Sequence, residues 1–108
     1  MIPHPHTPWN ETAAGTNDGA TATKAAVVEK QFFITSISGH IDEDVVVTIE
    51  SPAGTVLWET KIDFSVEGTQ IKSPAGLNVQ GVPDAAILGK IANSAADCQI
   101  NINGYSIP

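Results

Sequence analysis

Short runs in which apolar and polar residues alternate, separated by turn-forming tetrapeptides, dominate the sequence after residue 26. Residues 44–50 read DVVVTIE, in which every second side chain is a Val or Ile that one face of a strand could bury. The SPAG tetrapeptide at residues 51–54 predicts a turn, with proline at its second position and a permissive glycine at its fourth. Residues 55–60 can then pair back, so this part of the chain predicts an antiparallel hairpin.

Other runs predict further strands. Residues 31–37 are rich in aromatic and β-branched side chains, and Ser38-Gly39 is expected to end that strand. Residues 62–66 and 98–103 alternate strictly. In the latter run the residues on one face are Cys98, Ile100 and Ile102. A second SPAG at residues 73–76 predicts a second turn, although its flanking strands do not repeat those of the first.

Residues 86–92 fit two structures. Ile87, Leu88 and Ile91 have helical spacing, and the preceding Pro-Asp could begin a helix. Gly89 interrupts the run, which is also short, so a strand joined to the final strand is favoured. The Gly104-Tyr105 pair that follows residues 98–103 predicts a bulge or a close backbone approach.

Together these patterns predict about six to eight short strands and an all-β fold. We expect a single β-sandwich or jelly-roll-like domain over residues 26–108, preceded by an extended N-terminal arm over residues 1–25. The arm is polar, rich in small residues and has no apolar period, so it cannot form a core of its own. It needs the domain surface, a sister subunit or another protein to hold it.

The arm also contains the best candidates for contact with a partner. Trp9 is an isolated aromatic residue, and such a residue suits docking into a pocket of a neighbouring molecule. We therefore predict a partner-binding set at the start of the arm, comprising Ile2, Pro3, His4, His6, Pro8 and Trp9.

Charge excludes one class of partner. The net charge is −7, from twelve acidic residues and five lysines, and the chain has no arginine. Proteins that bind nucleic acid or anionic membranes concentrate Lys and Arg on one surface. No signal peptide or membrane-spanning apolar run is visible, so we expect neither nucleic acid nor membrane as a partner and synthesis in a cytoplasm.

No motif predicts a metal, a cofactor or a catalytic centre. His4 and His6 provide two ligands where a zinc site needs three or four. His40 precedes three acids at residues 42–44, but the glycine and terminal glutamate of a calcium loop are missing, so a solvated loop is favoured. No nucleophile motif occurs, and Cys98 is expected to be a buried apolar residue. We therefore predict a protein that is not an enzyme.

Residues 30–105 resemble small all-β proteins encoded among bacteriophage head and tail genes. The likeness lies in the FFITSISG strand, the VTI…SPAGTVLWET hairpin, a glycine-rich second half and the closing QININGY segment. The resemblance is to capsid decoration or cement proteins and to head-fibre bases. It implies a jelly-roll homotrimer on the capsid exterior whose arm contacts the major capsid protein or other shell subunits.

A different class of function stays open from the sequence. A carbohydrate-recognition or adhesion module of a fibre or tailspike would carry an exposed aromatic platform, for which Trp58 is the first candidate. Trp58 shares its predicted face with Val56 and Thr60, so packing in the core or at a subunit interface is the favoured interpretation. The exposure of this indole distinguishes the two.

Overall fold

The computed structural model describes residues 7–16, 19–63, 70–92 and 97–108. Within these ranges the backbone forms strands and turns, with no helix. The strands are β1 (Thr7–Thr16), β2 (Ala20–Lys24), β3 (Gln31–His40), β4 (Val45–Glu50), β5 (Val56–Ile62), β6 (Gln70–Ile71), β7 (Val79–Gln80), β8 (Ile87–Ile91) and β9 (Asp97–Ile107).

Two antiparallel sheets form a sandwich. The five-stranded sheet has the order β1-β9-β3-β6, and β7 also pairs with β3. The four-stranded sheet has the order β2-β8-β4-β5. The predicted hairpin is confirmed, because β4 pairs with β5 and the Thr55 N–H donates to the Pro52 carbonyl at 3.0 Å. The strand favoured for residues 86–92 is present as β8, Ile87–Ile91, and the segment is not a helix.

Alternation along the strands creates the core. Apart from the register shifts in the β3–β9 and β4–β5 ladders, the strands alternate, and the inward residues of the two sheets meet in one cluster. Its largest fully buried side chains are Phe32, Ile34, Ile37, Ile41, Val47, Ile49, Ile87, Ile91, Ile100 and Ile102. Cys98 is buried beside them, as the alternation of residues 98–103 predicts.

Most of the predicted arm belongs to the sandwich. β1 pairs with β9 along its whole length, and β2 pairs with the edge of β8. The segment needs no core of its own, because Ala20 and Ala22 pack into the core that other strands supply. Residues 1–6 lie outside the described residues, and an extended arm stays a prediction there.

Two glycines allow the backbones of β3 and β9 to approach closely. Ser38-Gly39 does not end β3, which continues to His40, because Gly39 adopts a φ of 147° that few other residues tolerate. A Cβ there would lie 1.9 Å from the carbonyl oxygen of Gln99. At Gly104 a Cβ would lie 1.7 Å from the Phe33 carbonyl oxygen, which confirms the predicted close approach. The register shift opposite Gly104 lies in β3, between Ile34 and Ser36.

Two other predicted features have different outcomes. The second SPAG forms its turn, since the Leu77 N–H donates to the Pro74 carbonyl at 3.3 Å. The strand predicted over residues 62–66 is described only at its start, where Ile62 ends β5, and Phe64 and Val66 lie outside the described residues.

No helix capable of crossing a membrane occurs in the described part of the chain.

Candidate partner-binding surfaces

The most exposed large apolar side chains of the described residues gather at one end of the sandwich. We call this end the valine end and define it by Val27, Val28, Val56, Leu57 and Val82. Val28 is the most exposed of them, at 82%. The valine end has little net charge, since its nearby lysines, Lys24 and Lys30, are matched by Glu29 and Asp84.

Strand register brings these five residues to the same end. Val27 and Val28 lie between β2 and β3, Val56 and Leu57 begin β5, and Val82 lies between β7 and β8. The ladders that finish here pair Lys24 with Ile87, Gln31 with Ile107 and Glu50 with Val56. Thr7, the first described residue, pairs with Ser106 at the same end, so residues 1–6 join the domain there.

Hydrogen bonds hold the loops of the valine end together. The Ser51 hydroxyl is fully buried, accepts from the Val82 N–H at 3.0 Å and donates to the Ala86 carbonyl at 2.7 Å. The Asp84 N–H donates to the Lys30 carbonyl at 2.9 Å. These bonds link both sheets, so the apolar residues are presented on a fixed surface and not on a loose loop.

The buried side chain of Glu50 stabilises the β4–β5 turn at the valine end. Its carboxylate is 7% exposed and accepts from the Gly54 N–H at 2.7 Å and from the Thr48 hydroxyl at 2.9 Å. The bond from Gly54 lowers the pKa of Glu50, against the opposing effect of burial, with further lowering by Thr48 and by the charge of Lys90. The ionised side chain therefore stabilises the β4–β5 turn.

Acidic residues gather at the opposite end. The β3–β4 loop carries residues 42–44, Asp63 follows β5, and Asp97 begins β9. We call this the acidic end and define it by Asp42, Glu43, Asp44, Asp63 and Asp97. Burial raises the pKa of the neighbouring Cys98 thiol, and the charges of Asp42 and Asp97 raise it further, against a backbone hydrogen bond involving Gly15. The thiol is therefore held in its unreactive form.

The acidic end does not assemble a metal site in the described residues. A cavity of about 450 Å³ opens between Asp44, Lys61 and Asp63, with Val45 and Ile62 also lining it. Across the described ranges, no group of three or more His, Cys, Asp or Glu side chains is placed to hold a metal ion. His40, which the sequence sets before the acids, is exposed at the end of β3.

The predicted partner-binding residues fall into two groups. Ile2, Pro3, His4 and His6 lie outside the described residues, whereas Pro8 and Trp9 lie in β1. Pro8 is exposed. Trp9 is half-buried and packs against the core of its own domain.

Trp9 has a partner ring within its own chain. Its ring meets Phe32 edge-on at 6.0 Å, with an interplanar angle of 77°. The indole N–H is buried and makes no hydrogen bond. The sequence suggests that nothing nearby can bury Trp9, but strand pairing with β9 brings it to a core formed by residues distant in the chain.

Trp58 faces the interior of the sandwich. It lies opposite Ile49 in the β4–β5 ladder and packs, half-buried, against the core. Its ring is therefore not an open platform, in agreement with the favoured prediction of packing.

Solved structures share this architecture. No protein-family model and no curated protein sequence matches the chain. A chain in the acidic stable capsid structure of the Helicobacter pylori bacteriophage KHP30 is similar over 97% of this chain and 95% of that one, with a TM-score of 0.52 and 7% identity. The fold is a jelly-roll-like β-sandwich.

Two further structures are similar at lower scores. The C-terminal carbohydrate-binding module of LamC, a laminarinase from Zobellia galactanivorans, has a TM-score of 0.46 and 15% identity, over 94% of this chain and 98% of that one. A virus-like particle of the Macrobrachium rosenbergii extra small virus has a TM-score of 0.37 and 10% identity, over 98% and 80%. The likeness to the phage capsid chain, at 7% identity, concerns the fold alone, so the function is inferred from the surface of this chain.

The valine end is the feature that sequence reasoning missed. Its residues stand outside the alternating runs or at their edges, and three of them lie in connections between strands. A signal was present, because Val27-Val28 and Val82 are large apolar residues next to charged or turn-forming neighbours. Only the register of the strands brings them together.

Proposed function

We propose that this protein is a virion structural protein of a tailed bacteriophage, which decorates or cements the capsid by bridging neighbouring shell subunits. The observation that carries the proposal is the unequal distribution of apolar and acidic residues between the two ends of the sandwich. The valine end has the exposed apolar surface and the acidic end has five carboxylates. A protein with this distribution attaches by one end and leaves the other in water.

Physical chemistry favours attachment through the valine end. Burying apolar surface contributes about 25 cal/mol per Å². Binding through the acidic end would instead remove several carboxylates from water, which is costly without matching cations. Outward carboxylates also keep neighbouring copies on a shell from aggregating.

The valine end is too small to act alone. Five side chains bury less than the roughly 800 Å² per partner of a standard interface. Residues 1–6 join the domain at this end and supply Met1 and Ile2, the further bulky apolar residues. We therefore keep Ile2, Pro3, His4, His6 and Pro8 as proposed contacts with the shell.

Trp9 has a different role in this proposal. It fixes the start of β1 to the core, so that residues 1–6 leave the domain from a defined position. Copies that bridge several shell subunits at once gain avidity without any added contact.

The experiment measures binding of the full chain to shells of the encoding phage from which this protein has been removed. Replacing both valines, V27S/V28S, is expected to weaken binding by about tenfold or more, because two apolar contacts are lost. The matched control at the other end, D42N, is expected to bind as the unchanged chain does. Removal of residues 1–6 is expected to weaken binding further.

Two results would overturn the proposal. One is that no variant, nor the unchanged chain, binds the shell at micromolar concentration. The other is that D42N weakens binding and V27S/V28S does not, which would place the contact at the acidic end. Circular dichroism of each variant separates lost binding from lost folding.

A further inference from the structure

The outward face of the five-stranded sheet is made mainly of amide and hydroxyl side chains. Register pairs place these residues on one surface, which we call the polar face. Its residues are Pro8, Asn10, Thr12 and Ala14 of β1, Gln99, Asn101, Asn103 and Tyr105 of β9, Phe33, Ser36, Ser38 and His40 of β3, Gln70 of β6 and Gln80 of β7.

Lack of charge separates this face from the rest of the surface. Among the described strands, Asp97 is the acidic residue on that side of the sheet, and it lies at the rim where β9 begins. The outward side of the four-stranded sheet, by contrast, carries Glu59, Lys61 and Lys90. The chain has a net charge of −7, so carboxylates are expected on every surface. Their absence from the centre of this sheet face therefore needs a physical explanation.

Hydrogen bonds order the polar face in advance. The Asn10 amide donates to the Asn103 side-chain oxygen at 2.9 Å, across β1 and β9. The Thr12 hydroxyl donates to the Asn101 side-chain oxygen at 2.6 Å. The Asn101 amide in turn donates to the Ser38 hydroxyl at 3.4 Å, which continues the row into β3. Fixed side chains lose little entropy when a partner binds.

Aromatic contact supports the same surface. The Phe33 and Tyr105 rings stack at 4.7 Å with an interplanar angle of 8°. Phe33 is buried, although it lies on the outward side of β3. The pair therefore forms a firm apolar spot within the polar face, and tyrosine and phenylalanine are enriched at the centres of protein interfaces.

We propose that two copies of this chain associate through their polar faces. Amide and hydroxyl groups both donate and accept hydrogen bonds, so a surface built from them is complementary to itself under a two-fold axis. A charged face would repel its own copy, and among the acidic residues of the described strands Asp97 alone lies on this side of the sheet, at its rim.

The size of the surface agrees with such a contact. Three strands of about ten residues, β1, β9 and β3, spaced about 4.8 Å apart at roughly 3.3 Å per residue, cover about 480 Å², and the two-residue strands β6 and β7 add about 60 Å². That area is of the same order as the roughly 800 Å² per partner of a standard interface. A neutral glycan fits less well, because sites for small ligands are concave and an open sheet face is not.

The experiment is analytical ultracentrifugation of the full chain over a concentration series. The unchanged chain is expected to show a monomer–dimer equilibrium. Thr12→Lys puts a charge on the polar face of each copy, and we expect it to weaken association by about tenfold or more. The matched control is Thr23→Lys, an exposed threonine of β2 on the outward side of the four-stranded sheet, and we expect no change.

Ser38→Lys serves as a second test, because Ser38 is exposed on β3 and does not depend on the edge strand. Thermal unfolding establishes that each variant is folded. Three results would overturn the proposal: a chain that stays monomeric to millimolar concentration, a trimer that Thr12→Lys leaves intact, or equal effects of Thr12→Lys and Thr23→Lys. A different result would assign the face to a glycan instead: the unchanged chain stays monomeric and is retained on a column of neutral polysaccharide, and the Thr12→Lys variant is not retained. The dimer does not depend on binding to a shell, so it can fail while the proposed function stands.

Discussion

The carboxylate of Glu50 accepts a hydrogen bond from the backbone N–H of Gly54 at 2.7 Å, so a buried acid closes the turn of the β4–β5 hairpin. The turn also holds Ser51, whose hydroxyl bonds to the β7–β8 loop. The hairpin and the valine end therefore share one set of polar contacts. Loss of the hydrogen bonds of Glu50 would make the loops that carry Val56 and Val82 less rigid.

The first prediction concerns pH. The pKa of Glu50 is lowered in the folded chain, so ionised Glu50 stabilises the fold above the ordinary glutamate pKa of about 4.3. That stabilisation is lost as the pH falls through the folded value. Urea unfolding at a series of pH values is expected to show falling stability in this acid range. Glu50→Gln removes this contribution, so a variant that keeps the full acid dependence would contradict the assignment.

The second prediction concerns Trp9. Because its ring packs against Phe32 and the core, Trp9→Ala is expected to lower the free energy of unfolding by about 1–3 kcal/mol. The control is Val28→Ala, which is expected to change it by less than about 0.5 kcal/mol, because that side chain is mostly in water. Urea denaturation measures both. An unchanged stability in Trp9→Ala would mean that Trp9 does not anchor β1.

The third prediction separates the two parts of the N-terminal segment. Deleting residues 1–6 leaves every described strand pairing in place, so cooperative thermal unfolding is expected to persist. Deleting residues 1–24 removes β1 and β2 and uncovers the edges of β9 and β8. The longer deletion is expected to abolish the cooperative transition. A cooperative transition after the longer deletion would mean that a domain of residues 26–108 folds alone.

The fourth prediction tests the close approach of β3 and β9. Gly104→Ala would place a Cβ against the Phe33 carbonyl, so the strands must separate, and we expect a loss of more than about 3 kcal/mol. Gly54→Ala is the control, because open space surrounds it and only its φ of 94° opposes the change. For that control we expect a loss of about 1–2 kcal/mol. Chemical denaturation compares the two, and equal losses would show that contact with Phe33 is not decisive.

Local sequence was sufficient for the strands whose pattern is regular. In residues 44–60, alternation, the SPAG turn and β-branched side chains all favour the same hairpin, which the structure contains. The alternation of residues 98–103 likewise predicted the burial of Cys98, Ile100 and Ile102. These features depend on residues that are close in sequence, so they can be predicted without knowing the tertiary structure.

The N-terminal strands could not be derived in this way. β1 reads TPWNETAAGT and β2 reads ATATK, and Trp9 is the one bulky apolar residue in these two strands. They fold because β9 and β8 offer unpaired edges and a completed core, and both partners lie more than sixty residues further along the chain. Small side chains suffice where the partner supplies most of the buried surface.

The sequence by itself determined the class of fold, because the period of two and the turn tetrapeptides are local properties of the chain. Tertiary structure decided which surfaces exist. Val28 and Val82 meet at one end, and Thr12, Asn101 and Ser38 line up on one face, only after distant strands adopt their register. The same pairing packs the half-buried ring of Trp9 against the core, since burial depends on what the fold brings near a residue and not on its neighbours in sequence.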